Sequence, residues 1–147
     1  EVANLILTSD HLLQETLLLN GEAVAAAIEK AHNAGTAPLF YNDEQALRSV
    51  IRFAYISCID EFLRIEELPS GRGYADVVYL PKKGSDKPIL VVELKWNKSA
   101  DSAIEQIRAR NYPQVLEGFG REILLVGISY QVKSKRHVCV IERHWRG

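Results

Sequence analysis

The 147-residue sequence predicts an α/β fold with a mixed central sheet and a helical preface. Three observations predict it. Two apolar runs, 73–80 and 88–96, flank a polar stretch at 81–87 with Gly84 at its centre, the pattern of two strands and the turn between them. Both runs are apolar on both of their faces, as strands buried on two sides in the middle of a sheet require. Around them the periodicity reads helix, three strands, helix, two strands.

The composition, 47% hydrophobic and 25% charged, is that of an ordinary globular domain with its own core. No apolar run approaches the ~18 residues of a membrane span and no signal-peptide pattern opens the chain, so no membrane partner is expected. Cys58 and Cys139 lie in apolar contexts without C-x-x-C spacing. They read as free, buried thiols of a cytoplasmic protein. With no Met anywhere, the chain reads as a piece of something longer. The net charge of −1 is unevenly spread: residues 1–62 carry nine acids and three bases, residues 63–147 ten acids and fifteen bases. The two apolar runs lie in the basic part, where a phosphate backbone is electrostatically favoured.

Residues 10–19 and 21–34 predict two helices split by the stop signal Asn20-Gly21. Ala23, Ala26, Ala27 and Ile28 make a small-residue apolar face, and His11 and His32 read as surface or helix-end residues. Residues 1–36 are therefore expected to be a helical preface or a linker to a preceding module, and 37–147 the functional domain. After a loop at 36–39, Asn42 is expected to cap a helix with Gln45 at the third position, as in a capping box. Leu47, Val50, Ile51, Ala54, Ile56 and Ile59 carry that helix to about Phe62. Glu44 falls in its first turn, where the helix dipole favours a carboxylate.

A first strand is expected at 64–68, leading into the tight connection Pro69-Ser-Gly-Arg-Gly73. Arg72 stands between two glycines that let backbone approach a ligand, and an arginine there can pair with Glu93 or hold a phosphate. Beyond the two apolar runs, Ser99 is expected to cap a helix running through Ile104 and Ile107 to Asn111, with Arg108 and Arg110 backbone-contacting or solvated. A fourth strand follows at 121–130, then the turn Lys133-Ser-Lys-Arg136 and a last strand at 137–141. His137 and Cys139 share a face of it, but two residues do not make a zinc site.

Three charges interrupt the apolar runs: Asp76 in the first, Glu93 and Lys95 in the second. Unpaired buried charges cost several kcal/mol, so something must compensate them. Side chains alternate along a strand, so Glu93 and Lys95 point the same way, about 6–7 Å apart. If the strands pair as a hairpin, Asp76 faces the same cavity. Two carboxylates and one amine are the composition of a site that holds a divalent metal and activates a water.

These residues carry a resemblance. Asp76, sixteen residues, then Glu93-Leu94-Lys95 resembles the PD-(D/E)xK nuclease superfamily, although position 75 is Ala where members carry a Pro. The chain is most similar to the nuclease-like domain found C-terminal to AAA-type ATPase-like modules in bacterial proteins. That likeness rests on Leu68-Pro-Ser-Gly-Arg-Gly-Tyr-Ala-Asp76, Val92-Glu-Leu-Lys-Trp96, Tyr41-Asn-Asp-Glu44, Ala103-Ile-Glu-Gln-Ile107 and Ile123-Leu-Leu-Val-Gly127.

The resemblance implies a restriction-endonuclease-like core. It implies Mg²⁺ (or Mn²⁺) held by Asp76, Glu93 and the backbone carbonyl of Leu94, with Glu44 as a further acidic ligand on the first core helix. Lys95 would orient or deprotonate the attacking water and stabilise the developing phosphorane charge. Gln106 and Arg72 would position the substrate. Members often carry a Tyr one turn after the Gln; here Tyr112 is six residues on, about 120° around a straight helix. The implied partners are nucleic acid, DNA more than RNA, and a covalently attached N-terminal ATPase-like module, with a homo-oligomer left open. The sequence holds no G-x-x-x-x-G-K-[ST] loop, so it is no ATPase by itself. Two rivals stand beside hydrolysis: a nuclease-derived binding module that no longer cuts, and a structural ion network in an interaction domain.

Overall fold

Val-, Ile- and Leu-rich segments form a five-stranded sheet in a computed structural model that describes residues 2–66, 77–110 and 116–144, with side chains from residue 8 onward. The strands are β1 (Phe62–Ile65), β2 (Val77–Pro81), β3 (Ile89–Trp96), β4 (Ile123–Gln131) and β5 (Arg136–His144), and they lie in that order across the sheet. β3 and β4 run parallel and every other neighbouring pair antiparallel. A parallel pair needs a long crossover, which α4 (Ala100–Ala109) supplies. The other helices are α1 (Val2–Leu17), α2 (Gly21–Gly35) and α3 (Glu44–Ala54). This is the expected α/β element order with a mixed sheet and N-terminal helices, consistent with a restriction-endonuclease-like core.

The sheet divides the core in two. Leu90, Val92 and Leu94 of β3, with Val126 of β4, pack towards Leu12, Val24, Ile28, Leu47 and Ile51 of the first three helices. Ile89, Val91 and Leu125 face the other way, onto Ile104 and Ile107 of α4. Strict alternation in β3 thus assigns each side chain to a layer. Two glycines let helices come close: a Cβ at Gly21 would collide with the Cys139 carbonyl of β5, and one at Gly127 would lie 2.6 Å from the Ala100 carbonyl oxygen of α4.

Several boundaries differ from the sequence expectation, each for a tertiary reason. The helix expected from residue 10 begins at Val2. Ser9 does not end it, because its hydroxyl is engaged with the Ser57 hydroxyl and the Ser57 N–H, both at 2.9 Å. Asp43, not Asn42, caps α3, accepting from the N–H groups of Gln45 and Ala46; the Asn42 side-chain oxygen instead accepts from the Tyr130 hydroxyl at 2.5 Å. α3 stops at Ala54 rather than near Phe62. Tyr55 turns inward to Thr16, 2.9 Å away, a 3₁₀ turn covers Ile56–Asp60, and Phe62 opens β1. The first strand therefore sits at Phe62–Ile65 rather than 64–68. A 3₁₀ turn, Pro38–Phe40, occupies the predicted loop, and β5 runs on to His144. The cap at Ser99 forms as expected, and Asn20, read as a stop signal, also caps α2.

His32 is not a surface residue. It is fully buried, with Nδ1 2.8 Å from His137 Nε2 and Nε2 2.9 Å from the Tyr41 carbonyl oxygen. Among the described residues no helix is long and apolar enough to cross a membrane.

Candidate active site

β3 carries the charges. Glu93 is only 3% exposed, and alternation turns Glu93 and half-buried Lys95 to the α4 side of the sheet, away from Leu94. In the parallel register Glu93 lies beside Gly127 and Lys95 beside Ser129. Because Gly127 has no Cβ, the start of α4 settles directly on the sheet next to Glu93; a methyl there would also lie 3.1 Å from Ala103 Cβ. An isolated glycine within an apolar strand marks such a close approach.

From that seat α4 runs to its C-cap, Arg110, whose N–H donates to the Gln106 carbonyl at 3.0 Å. Arg110 Nη1 donates to Glu93 Oε1 at 3.0 Å, an ion pair with side-chain exposures of 25% and 5%. A charge-assisted bond of this kind offsets the desolvation of the carboxylate. Arg110 thus compensates the buried charge of Glu93, a role that its position in the sequence alone did not indicate. Arg108, two positions earlier and on another side of the helix, donates instead to Glu142 Oε1 at 3.0 Å and lies 3.2 Å from His144 Nδ1.

Val77, the residue after Asp76, pairs antiparallel with Val92, the residue before Glu93. Asp76 itself lies outside the described residues, as do Arg72 and Tyr112. Glu44 stands in the first turn of α3, with Oε2 2.7 Å from Arg48 Nη2. Arg48 in turn borders a small cavity with Val77, Val92 and Leu94, on the sheet face opposite the Glu93 side chain. Gln106 is half-buried on α4, one turn before Arg110. The residue that sequence reasoning missed is Arg110. Its signal was the four-residue spacing from Gln106, which puts both on one side of a helix.

The donor chemistry fits a hard divalent cation: Glu93 is a desolvated carboxylate already matched by a positive charge. Among the described residues, no group of three or more His, Cys, Asp or Glu side chains could hold a metal, and Asp76 is not among those residues. Other reactive groups do not compete as the centre of chemistry. Burial pushes the thiols of Cys58 and Cys139 up to about 12, so neither is a nucleophile at neutral pH. A cleft of about 710 Å³ between α1, α2 and α3 is lined by Leu12, Ala31, Phe40, Val50 and Phe53, with no charged side chain among the described residues of its wall.

Residues 42–140 match the family model of the PD-(D/E)XK nuclease superfamily. That span contains Asp76, Glu93, Lys95, Gln106 and Arg110. No curated protein and no solved structure matches the chain.

Proposed function

Because the chain belongs to the PD-(D/E)XK nuclease superfamily, whose members act on nucleic acid and generally use divalent metals, we propose that it hydrolyses phosphodiester bonds, of DNA in preference to RNA, with Mg²⁺ or Mn²⁺. One observation carries this reading: a carboxylate 3% exposed, Glu93, sits two residues before Lys95 on one sheet face, beside a cationic helix end.

Asp76, Glu93 and the Leu94 carbonyl would hold the cation. When bound, it supplies charge neutralisation and Lewis acidity at the phosphoryl oxygens. Lys95 orients the attacking water, takes its proton or holds it by a hydrogen bond, and stabilises the charge that develops on the phosphorane. Gln106 and Arg72, and with them Tyr112, would position the substrate. Burial of Glu93 keeps bulk water from competing for its oxygens. An ATPase-like module attached on the N-terminal side, as the resemblance implies, would be joined through residues 1–36, whose helices also complete the core on which the nuclease segment 37–147 folds.

The Glu93–Arg110 bond itself favours a second reading, a nuclease-derived binding module in which the pair is structural and no cleavage occurs, since Oε1 is satisfied without a metal. Calorimetric titration with Mn²⁺ separates the two. The nuclease reading expects weak binding by wild type, none by Glu93→Ala, and metal-dependent cleavage of a panel of single- and double-stranded DNA and RNA. Equal heats from both proteins would remove Glu93 from any metal site.

A further inference from the structure

Arg110 and a divalent cation want the same atom. The guanidinium donates to Glu93 Oε1, and that carboxylate is one that the metal-site reading above assigns to the ion. We propose that Arg110 is a phosphate-binding arginine held in reserve by Glu93: metal entry takes over the carboxylate and frees the guanidinium for the substrate phosphate beside it. The inference rests on the metal-site reading and deepens it.

The geometry suits an exchange. Glu93 is buried at 5% side-chain exposure, while Arg110 keeps 25% and sits at the very end of α4, as its C-cap. The carboxylate is held by the sheet and cannot follow solvent; the arginine stem can turn outwards without disturbing a helical hydrogen bond. A guanidinium is a rigid planar fork whose donors match phosphate oxygens as well as carboxylate oxygens. Arg108 is committed to Glu142 on another side of the helix, so Arg110 is the cation of this turn aimed at β3. Gln106, one turn earlier, places a neutral polar group on the same side. Two cations at one carboxylate oxygen repel, and such a coupling is reciprocal: whatever Arg110 costs the metal, the metal costs the Arg110–Glu93 bond.

The test uses the whole 147-residue chain. Arg110→Gln removes the charge but keeps a donor for Glu93, and Arg110→Lys keeps the charge. In calorimetry without nucleic acid, Arg110→Gln should bind Mn²⁺ at least about fivefold more tightly than wild type, with Arg110→Lys near wild type. With Ca²⁺ as the cation, a fluorescent DNA duplex should bind Arg110→Gln more weakly, and the slope of log K against log salt should shrink by about 0.9, one phosphate contact. Wild-type protein provides a check that needs no variant to fold: on adding Mg²⁺, the arginine side-chain NMR signals of Arg110 should shift as its bond to Glu93 is lost. Mn²⁺ bound by wild type, but no more tightly by Arg110→Gln and with an unchanged salt slope, overturns the exchange and leaves the metal site standing. Unmoved Arg110 signals at saturating Mg²⁺ do the same. No Mn²⁺ bound by wild type overturns both readings together.

Discussion

His32 Nδ1 lies 2.8 Å from Nε2 of His137, and this bond assigns both rings. The Tyr41 carbonyl can only accept, so His32 Nε2 carries a proton; neutral His32 then accepts at Nδ1 from the N–H of His137 Nε2. Both rings are neutral in this arrangement. Burial lowers the pKa of His32, and burial followed by the nearby His32 lowers that of His137 to about 4, with Glu29 opposing. Tyr41 stacks on His32 at 3.7 Å and Tyr130 lies 4.9 Å from His137, both uncharged. The folded-state value lies below the unfolded 6.5, so the unfolded chain binds more protons between them. Stability is therefore full above about pH 6.5 and falls as pH drops through about 4. Urea unfolding should show wild type losing roughly 1–3 kcal/mol more than His137→Phe between pH 6.5 and 4. Parallel profiles for the two proteins would contradict this assignment.

The same pair ties α2 to β5, and the first two helices have further anchors: Ser9 on Ser57, Thr16 on Tyr55 and Gly21 under the Cys139 carbonyl. Leu12, Val24 and Ile28 are fully buried against the sheet layer. At roughly 1.5–3 kcal/mol each, losing these contacts is comparable to the whole stability of a domain, about 5–15 kcal/mol. A chain of residues 37–147 is expected not to fold cooperatively. A sharp thermal transition and dispersed amide spectrum from that fragment would show the preface to be dispensable.

Gly127 offers a local test of how α4 is seated. Gly127→Ala sets a methyl against Ala100 O and Ala103 Cβ, at 2.6 and 3.1 Å if nothing moves. The helix start must lift, at a cost of about 1–3 kcal/mol for overpacking, and the end carrying Gln106 and Arg110 shifts relative to Glu93. Gly118→Ala meets nothing within 4 Å among the described residues and should stay within about 0.5 kcal/mol of wild type. Denaturant melts of both, with Mn²⁺ affinity measured on each, compare the two positions. Equal stability of the two variants would mean that α4 does not rest on Gly127.

Lys95 separates binding from chemistry. Its ammonium is a compact charge on a flexible stem, unlike a guanidinium fork. Lys95→Arg should leave Mn²⁺ affinity within about twofold and lower any cleavage rate at least tenfold, about 1.4 kcal/mol of transition-state stabilisation. Single-turnover cleavage at the wild-type rate would remove Lys95 from the mechanism.

Some of this protein could be read from the chain alone, and the physical reason is range. Strand alternation is set by neighbouring residues, so the sequence was enough to put Glu93 and Lys95 on one face and Leu94 on the other. Caps act over three residues, so Ser99 was legible as a helix start, and Asn20-Gly21 as a break between helices. The apolar runs read at 88–96 and 121–130 announced the central strands, found at Ile89–Trp96 and Ile123–Gln131, and Gly127 within one of them was visible though its use was not. Partners through space were a different matter. Asn42 lost the cap of α3 because Tyr130, 88 residues away, took its side-chain oxygen. His32 was drawn inside by a ring 105 residues on. Glu93 required a cation, which the chemistry of burial demanded, but that Arg110 rather than Arg108 of α4 meets its Oε1 follows from the packing of α4 on Gly127. Backbone geometry is local and leaves its mark in spacing; desolvated charge is compensated by whatever the fold brings within 3 Å, and only the tertiary structure decides that.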